Sequence, residues 1–392
     1  MSKVEYKNTL IKDIGRVVTG KTPETKKAEF YGNGYMFITP AELHDGYNVQ
    51  VSDKYITESG LQSIKSNCID GTSVMVGCIG WDMGNVAICH RKCATNQQIN
   101  SITDFNPKYN PFYTYYWLLT KKDYLFTIAS VTRTPILSKS TFEEIVIPMP
   151  DRSIQDNVVG TLKPIDDMME NNKRICSELE AMAKTLYDYW FVQFDFPDEN
   201  GEPYRTAGGE MVWNGQLKRE IPKGWDVTNI GNLTTVVTGK EDANFSSPNG
   251  KYKFFTCSQE TLLCDTPAFS GQAVLIAGNG DFNVKHYSGE FNAYQRTYVL
   301  IPENQVYYGA MYISAKNQIQ AFKNGSNGSI VKFITKGDVE NIPFILPNDD
   351  LIFHQINKLI EKIELCEREN EELTKLHDWI LPMLMNGQAR VE

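Results

Sequence analysis

From Val158 onward, seam positions recur at alternating steps of four and three: Val158, Leu162, Ile165, Met169, Asn172, Cys176, Leu179, Ala183, Leu186 and Trp190. Adding 194 to each gives a second series: Ile352, Ile356, Leu359, Ile363, Cys366, Asn370, Leu373, His377, Ile380 and Leu384. A 4-3 repeat held for this long predicts a narrow helical seam of the coiled-coil kind. A helix lying on its own globule would show a broader apolar face. At 1.5 Å per residue each helix would span roughly 50 Å. Gly160 and Pro164 are expected to kink or delay the first helix near its start, and Pro382 to do so near the end of the second. Elsewhere the apolar runs are short. Residues 74–79, Val86–Cys89, 272–277 and 297–301 are β-branched or apolar and bounded by Gly, Asn and Asp, which predicts strands. Residues 110–123 and 309–322 have helical character. The order is globule, helix, globule, helix.

The globules repeat as the helices do. Ile14-Gly15 and Val17-Val18-Thr19-Gly20-Lys21 recur as Ile230-Gly231 and Val236-Val237-Thr238-Gly239-Lys240. Leu137-Ser138-Lys139, leading to Ile145 and Pro150, recurs as Ile334-Thr335-Lys336, leading to Ile342 and Pro347. A single period this large is duplication of a whole domain-plus-helix unit rather than a solenoid. The expected fold class is α/β (α+β): a two-fold repeat of two globules joined by two long helices that form an antiparallel coiled coil. The expected boundaries are 1–150 for the first globule, 151–195 for the first helix, 196–225 for a linker, 226–347 for the second globule and 348–392 for the second helix.

The polar seam residues choose the direction of pairing. Asn172 is equivalent to Cys366 in the repeat, and Cys176 to Asn370. Parallel pairing would set each Asn against a thiol, and a buried amide without a partner loses ~1–3 kcal/mol. In an antiparallel register whose facing positions sum to 542, Asn172 faces Asn370, Cys176 faces Cys366, Met169 faces Leu373 and Leu179 faces Ile363. A seam Asn is a register device, so antiparallel pairing is expected.

Composition narrows the class. The chain has 392 residues, 41% hydrophobic, 22% charged and 11% aromatic. It is therefore long enough for two or three domains and not mainly disordered. No apolar run reaches the ~18 residues of a membrane span, and residues 1–10 lack the core of a signal peptide, so a cytoplasmic location is expected. The eight cysteines are irregularly spaced and read as free thiols. The net charge of −9 argues against a nucleic-acid binder only until it is divided. Residues 1–150 carry 16 basic against 14 acidic side chains, 151–200 carry 5 against 11, and 351–392 carry 5 against 8. The acid sits in the helices, where DNA would be repelled and protein contacts are favoured.

A search for chemistry finds no catalytic constellation. Residues 15–22, Gly-Arg-Val-Val-Thr-Gly-Lys-Thr, match the phosphate-binding pattern GxxxxGK[ST]. That motif needs a helix leading out, and Pro23-Glu24-Thr25-Lys26-Lys27 has no helical apolar face. In the second copy the glycines stand eight positions apart rather than five, and Glu241 replaces Thr22. A nucleotide-binding protein stays as one alternative, but a turn that offers Thr, Gly and Lys to a phosphate or base edge fits better. Cys78, Cys89, His90 and Cys93 have no second tight pair and no counterpart in the other half, so no metal is expected. What remains is polar readout chemistry. Asn and Gln amides pair bidentately with adenine, and Arg with guanine. The candidates are Thr19, Lys21, Thr22, Asn96, Gln97, Gln98, Arg133 and Thr134 in the first half. In the second half they are Lys240, Asn244, Gln295, Arg296, Ser326 and Asn327.

These residues resemble the specificity (S) subunits of type I restriction–modification systems. The resemblance runs over essentially the whole chain. Its most specific part is residues 180–201, EAMAKTLYDYWFVQFDFPDENG. Thr19-Gly20-Lys21-Thr22-Pro23, Thr95-Asn96-Gln97-Gln98 and Ile147-Pro148-Met149-Pro150 are also similar, while the second copy departs at Glu241 and at Tyr294-Gln295-Arg296. The resemblance implies two target-recognition domains, each reading one half of a bipartite site in double-stranded DNA. It implies that the two helices are spacers that pair antiparallel and set the distance between the half-sites. It further implies recruitment of two methyltransferase (M) subunits, which bind S-adenosylmethionine and methylate adenine N6, and of restriction (R) subunits, which use ATP and Mg. The S subunit itself would be a targeting subunit with no cofactor and no catalytic residue. A scaffold that never touches DNA is the other alternative.

Overall fold

The structure, a computed structural model, describes residues 5–44, 46–131, 133–280, 282–325 and 333–389. It divides into two compact units, Met1–Asn171 with Glu369–Glu392, and Asn172–Arg368. Each unit contains one globule and a part of both long helices.

In the first unit a four-stranded antiparallel sheet runs in the order Arg16–Thr19, Ile99–Thr103, Ser73–Gly77, Val86–Cys89. The two central strands are buried throughout, which is why they read as continuous apolar runs instead of alternating. A second sheet has the order Tyr55–Ile56, Tyr31–Ile38, Cys93–Thr95, Cys68–Ile69. Lys7–Leu10 pairs antiparallel with Val146–Met149 and joins the beginning of the globule to its end. The second unit has one six-stranded sheet: Val237–Thr238, Thr297–Leu300, Phe269–Ala277, Val284–Ala293, Tyr252–Phe255, Leu262–Cys264. Its equivalent closing pair is Asp226–Asn229 with Pro343–Leu346.

One aromatic helix in each globule rests on the long helix that comes after it in sequence. Pro111–Leu119 is capped by Asn110, whose side chain accepts from the Phe112 N–H. The Asn110 N–H itself donates to Gln155 Oε1 on the long helix at 2.7 Å. In the second unit Gly309 N donates to Asn357 Oδ1 at 2.7 Å in the same way. Below these amides, Tyr116 donates to the buried carboxylate of Asp166 at 2.6 Å, and Tyr308 donates to buried Glu364. Burial raises the Asp166 carboxyl above its usual range. These satisfied polar groups orient each globule on its helix, while the apolar core supplies the stability.

The long helices span Arg152–Tyr187 and Leu351–Met385, the first continuing into a turn of π-helix at Asp188–Gln193. Every one of the twenty seam positions is buried or half-buried. In the first unit, Val158 and Leu162 share a core with Leu381 and Leu384, and Asn370 Nδ2 donates to the Met169 carbonyl at 3.1 Å. In the second, the Cys176 thiol lies 3.7 Å from the Ile363 carbonyl, and Phe191 stacks on Phe353 at 5.6 Å. Within each unit the partners rise along one helix as they fall along the other, so the two helix segments there run antiparallel. Pro164 and Pro382, expected to kink or delay their helices, lie inside them, and the first helix already starts at Arg152. Both are exposed, as are Gly160 and Asp378 four residues before them. The carbonyl that each ring crowds can therefore tilt toward water.

The segment 196–225 holds an antiparallel hairpin, Met211–Asn214 with Arg219–Pro222. Phe196 stacks on Trp225 at 4.7 Å, and Trp190 on Phe196 at 4.9 Å. Both tryptophans and Phe196 belong to or pack against the core of the second unit.

Candidate nucleic-acid interface

The Thr-Gly-Lys turn leaves the strand Arg16–Thr19 and approaches the end of the strand Cys93–Thr95. Gly20 N donates to the Ile99 carbonyl at 3.0 Å, and Lys21 N to the Thr95 carbonyl at 2.9 Å. A Cβ at Gly20 would come within 2.2 Å of the Asn96 carbonyl oxygen. Only glycine fits so close to another backbone. The second unit builds the same turn: Gly239 N donates to the Thr297 carbonyl at 3.2 Å. There a Cβ would fall 1.8 Å from the Ala293 carbonyl oxygen. The GxxxxGK[ST] match is thus explained by packing. The N–H groups that would cradle a phosphate are taken up by backbone carbonyls, and the next element along the chain is a 3₁₀ turn, Ala28–Phe30, instead of a helix.

A second connection brings the other candidates to the same edge. Cys78 N donates to the Gln98 carbonyl at 2.7 Å, and Leu137 N donates to the Cys78 carbonyl at 2.8 Å. In the second unit Gly278 N donates to the Arg296 carbonyl at 2.9 Å, and Ile334 N to the Gly278 carbonyl at 2.8 Å. Gln98 and Arg296 are therefore structurally equivalent, as are Gln97 and Gln295. In each unit three segments meet: the Gly-Lys turn, the turn before the next strand, and the segment at Leu137 or Ile334.

The candidates divide by environment. Thr19 Oγ1 donates to Asn100 Oδ1 at 2.6 Å, and buried Asn96 holds Gln98 through two hydrogen bonds, of 2.9 and 3.0 Å. These residues shape the turn. Thr22 donates to Gln97 Oε1 at 2.8 Å and fixes the amide that would read a base. Lys21, Gln97 and Arg133 are exposed, with Thr134 half-buried. Lys240, Asn244, Gln295 and Arg296 are exposed in the second unit. The Asn244 backbone is held by Asp242 Oδ1 at 2.8 Å. Ser326 and Asn327 lie outside the described residues. Sequence reasoning passed over Asn100, which is buried and bonded to Thr19, and Asn67, whose amide donates to the Thr19 carbonyl at 2.9 Å. Neither has a local signal, because each acts across the sheet.

All eight cysteines are free thiols, four of them buried. Burial pushes the Cys78 thiol up to about 12. Cys93 lies 3.7 Å from Cys89, and that contact brings the Cys89 thiol down to about 7. Among the described residues no group of three or more His, Cys, Asp or Glu could hold a metal ion. No helix among them is long and apolar enough to cross a membrane.

A family model described as "Type I restriction modification DNA specificity domain" matches residues 3–181 and 222–375. The chain is 26% identical over 416 residues to the type I restriction enzyme MjaIX specificity subunit of Methanocaldococcus jannaschii, covering 97% of this chain and 93% of that one. It is 34% identical over 180 residues to the EcoDI specificity subunit of Escherichia coli, covering 44% and 40%. The crystal structure of a type I S subunit from M. genitalium superposes with a TM-score of 0.62 at 15% identity, covering 98% and 97%, a likeness of fold.

Proposed function

Because this chain belongs to the type I restriction–modification DNA specificity family, we infer that it is a DNA specificity subunit. It targets a restriction–modification complex and is not itself an enzyme. The observation that carries the reading is the two-fold construction of the turn. The same hydrogen bonds hold Gln97-Gln98 in one unit and Gln295-Arg296 in the other. One scaffold thus presents two different sets of polar side chains, exposed Gln97 beside half-buried Gln98 in one unit and exposed Gln295 and Arg296 in the other, which is what reading two different half-sites requires.

We further propose the division of labour within the complex. Each unit reads one half of a bipartite site, with Lys21, Gln97, Gln98 and Arg133 facing one half and Lys240, Gln295 and Arg296 the other. Thr19, Thr22, Asn96, Thr134 and Asn244 shape these turns. The long helices serve as the spacer and dock two M subunits, which bring S-adenosylmethionine, and R subunits join with ATP and Mg. The antiparallel helix contacts within each unit support the spacer role, and the helices' excess of acid supports protein partners over DNA. With near-neutral globules, specific binding by the chain is expected to require the M subunits to complete a clamp.

Arg133→Ala, assayed in the assembled complex, tests the readout. It should cost on the order of 1–3 kcal/mol and relax one half-site if Arg133 grips a guanine edge. A uniform loss with a shallower salt slope would mean a phosphate contact. Unchanged affinity and specificity would place that loop away from DNA. A complex showing no salt-dependent DNA binding at all would favour the scaffold reading.

A further inference from the structure

In the first unit the loop 79–85 joins the strands Ser73–Gly77 and Val86–Cys89. It displays Trp81 with 70% of its surface exposed. Trp213 and Trp379 are exposed to a similar degree, at 69% and 63%, so what singles out Trp81 is the loop that holds it and the edge on which it stands. The loop is held in place. Gly80 N donates to the Pro135 carbonyl at 3.0 Å, and Gly84 N to the Gly77 carbonyl at 2.8 Å. Lys122 grips Asp82 at 3.0 Å, and the indole lies 6.1 Å from the Phe126 ring, its own outer face open. A fixed aromatic on a tied-down loop is pre-organised for contact.

Its location names the partner. Trp81 lies three positions after Cys78, and Cys78 carries the hydrogen bonds that join the Gln98 turn to the Leu137 segment. Gly80 is bonded directly into the loop that displays Arg133. The indole therefore continues the edge assigned above to DNA. We propose that Trp81 is a specificity-determining residue of the first half-site, laying its open face against apolar groups in a DNA groove, thymine methyls and deoxyribose carbons. This rests on the DNA-reading role of that edge. Among the described residues of the second unit, the equivalent loop offers no such exposed ring. That loop, 278–283, is shorter and carries Asn279 and Gly280 instead, and its Phe282 packs against that unit's core. The contact is thus private to one half-site.

The test uses the full chain assembled with its methyltransferase subunits, and duplexes carrying the motif read from methylated adenines. Wild type, Trp81→Ala and Trp81→Phe are titrated against the intact motif and against each half altered alone. Trp81→Ala should weaken binding to the intact motif about tenfold or more and erase discrimination at one half while preserving it at the other. Trp81→Phe should restore most of the loss, and the unfolding temperature should not move. Trp81→Ala binding like wild type would overturn the proposal and leave the DNA reading standing. So would a variant that no longer assembles with the methyltransferase subunits, since the indole would then belong to a protein interface. A wild-type complex without sequence-specific binding would overturn both.

Discussion

Gly239→Ala should abolish recognition of one half-site and leave the other intact. The added Cβ would sit 1.8 Å from the Ala293 carbonyl oxygen and 2.7 Å from that of Tyr294. No rotamer relieves this, because the obstruction is backbone within the sheet. Either the Gly-Lys turn lifts off or the Ala293-Tyr294-Gln295 segment moves. In both cases Lys240 and Gln295 leave their positions. The expected cost is about 3 kcal/mol, the upper end of what overpacking costs, seen as earlier unfolding of the second unit. Gly20→Ala should do the same to the first unit and its half-site. Unchanged stability and unchanged specificity in Gly239→Ala would mean that the close approach does not exist in solution.

Phe191→Ala should destabilise the second unit by about 3–5 kcal/mol. Phe191 is 2% exposed. Its ring stacks on Phe353 at 5.6 Å and meets Tyr187 at 4.9 Å and Trp225 at 5.9 Å. Its carbonyl accepts from Arg219 Nη2 at 2.7 Å. The residue therefore joins the end of the first long helix, the hairpin after it and the start of the second long helix. Denaturant unfolding monitored by tryptophan fluorescence should report the loss, since Trp190 and Trp225 lie in the same cluster. A cost below about 1 kcal/mol would show that this cluster is not a core.

The helices were legible because the 4-3 periodicity is a local signal, and the full or partial burial of all twenty seam positions agrees with it. The repeat was legible because Val-Thr-Gly-Lys returns intact, yet its reason was not: the partner carbonyls of Gly20 and Gly239 lie some 75 and 54 positions away. Pro164 does not delay the first helix, which starts at Arg152, because both it and Gly160 are exposed, and that exposure cannot be read from the chain. The aromatic run in residues 180–201, the most specific part of the family resemblance, turns out to be packing: Tyr187, Trp190, Phe191, Phe194 and Phe196 belong to or line one core. Of the readout candidates, the sequence could not separate Thr19 and Asn96, which shape the turn, from Lys21, Gln97 and Arg133, which face outward. That distinction depends on cross-sheet hydrogen bonds to Asn100 and within the 96–98 turn.

The most direct measurement is a map of methylated adenines in host DNA, made with the wild-type chain, without it, and with Gly239→Ala. With the wild-type chain the map should show a bipartite motif of two defined ends and an unspecified middle. That motif should vanish without the chain and lose definition at one end only in the variant. Methylation independent of the chain, or a motif whose two ends degrade together in Gly239→Ala, would contradict two separately reading units.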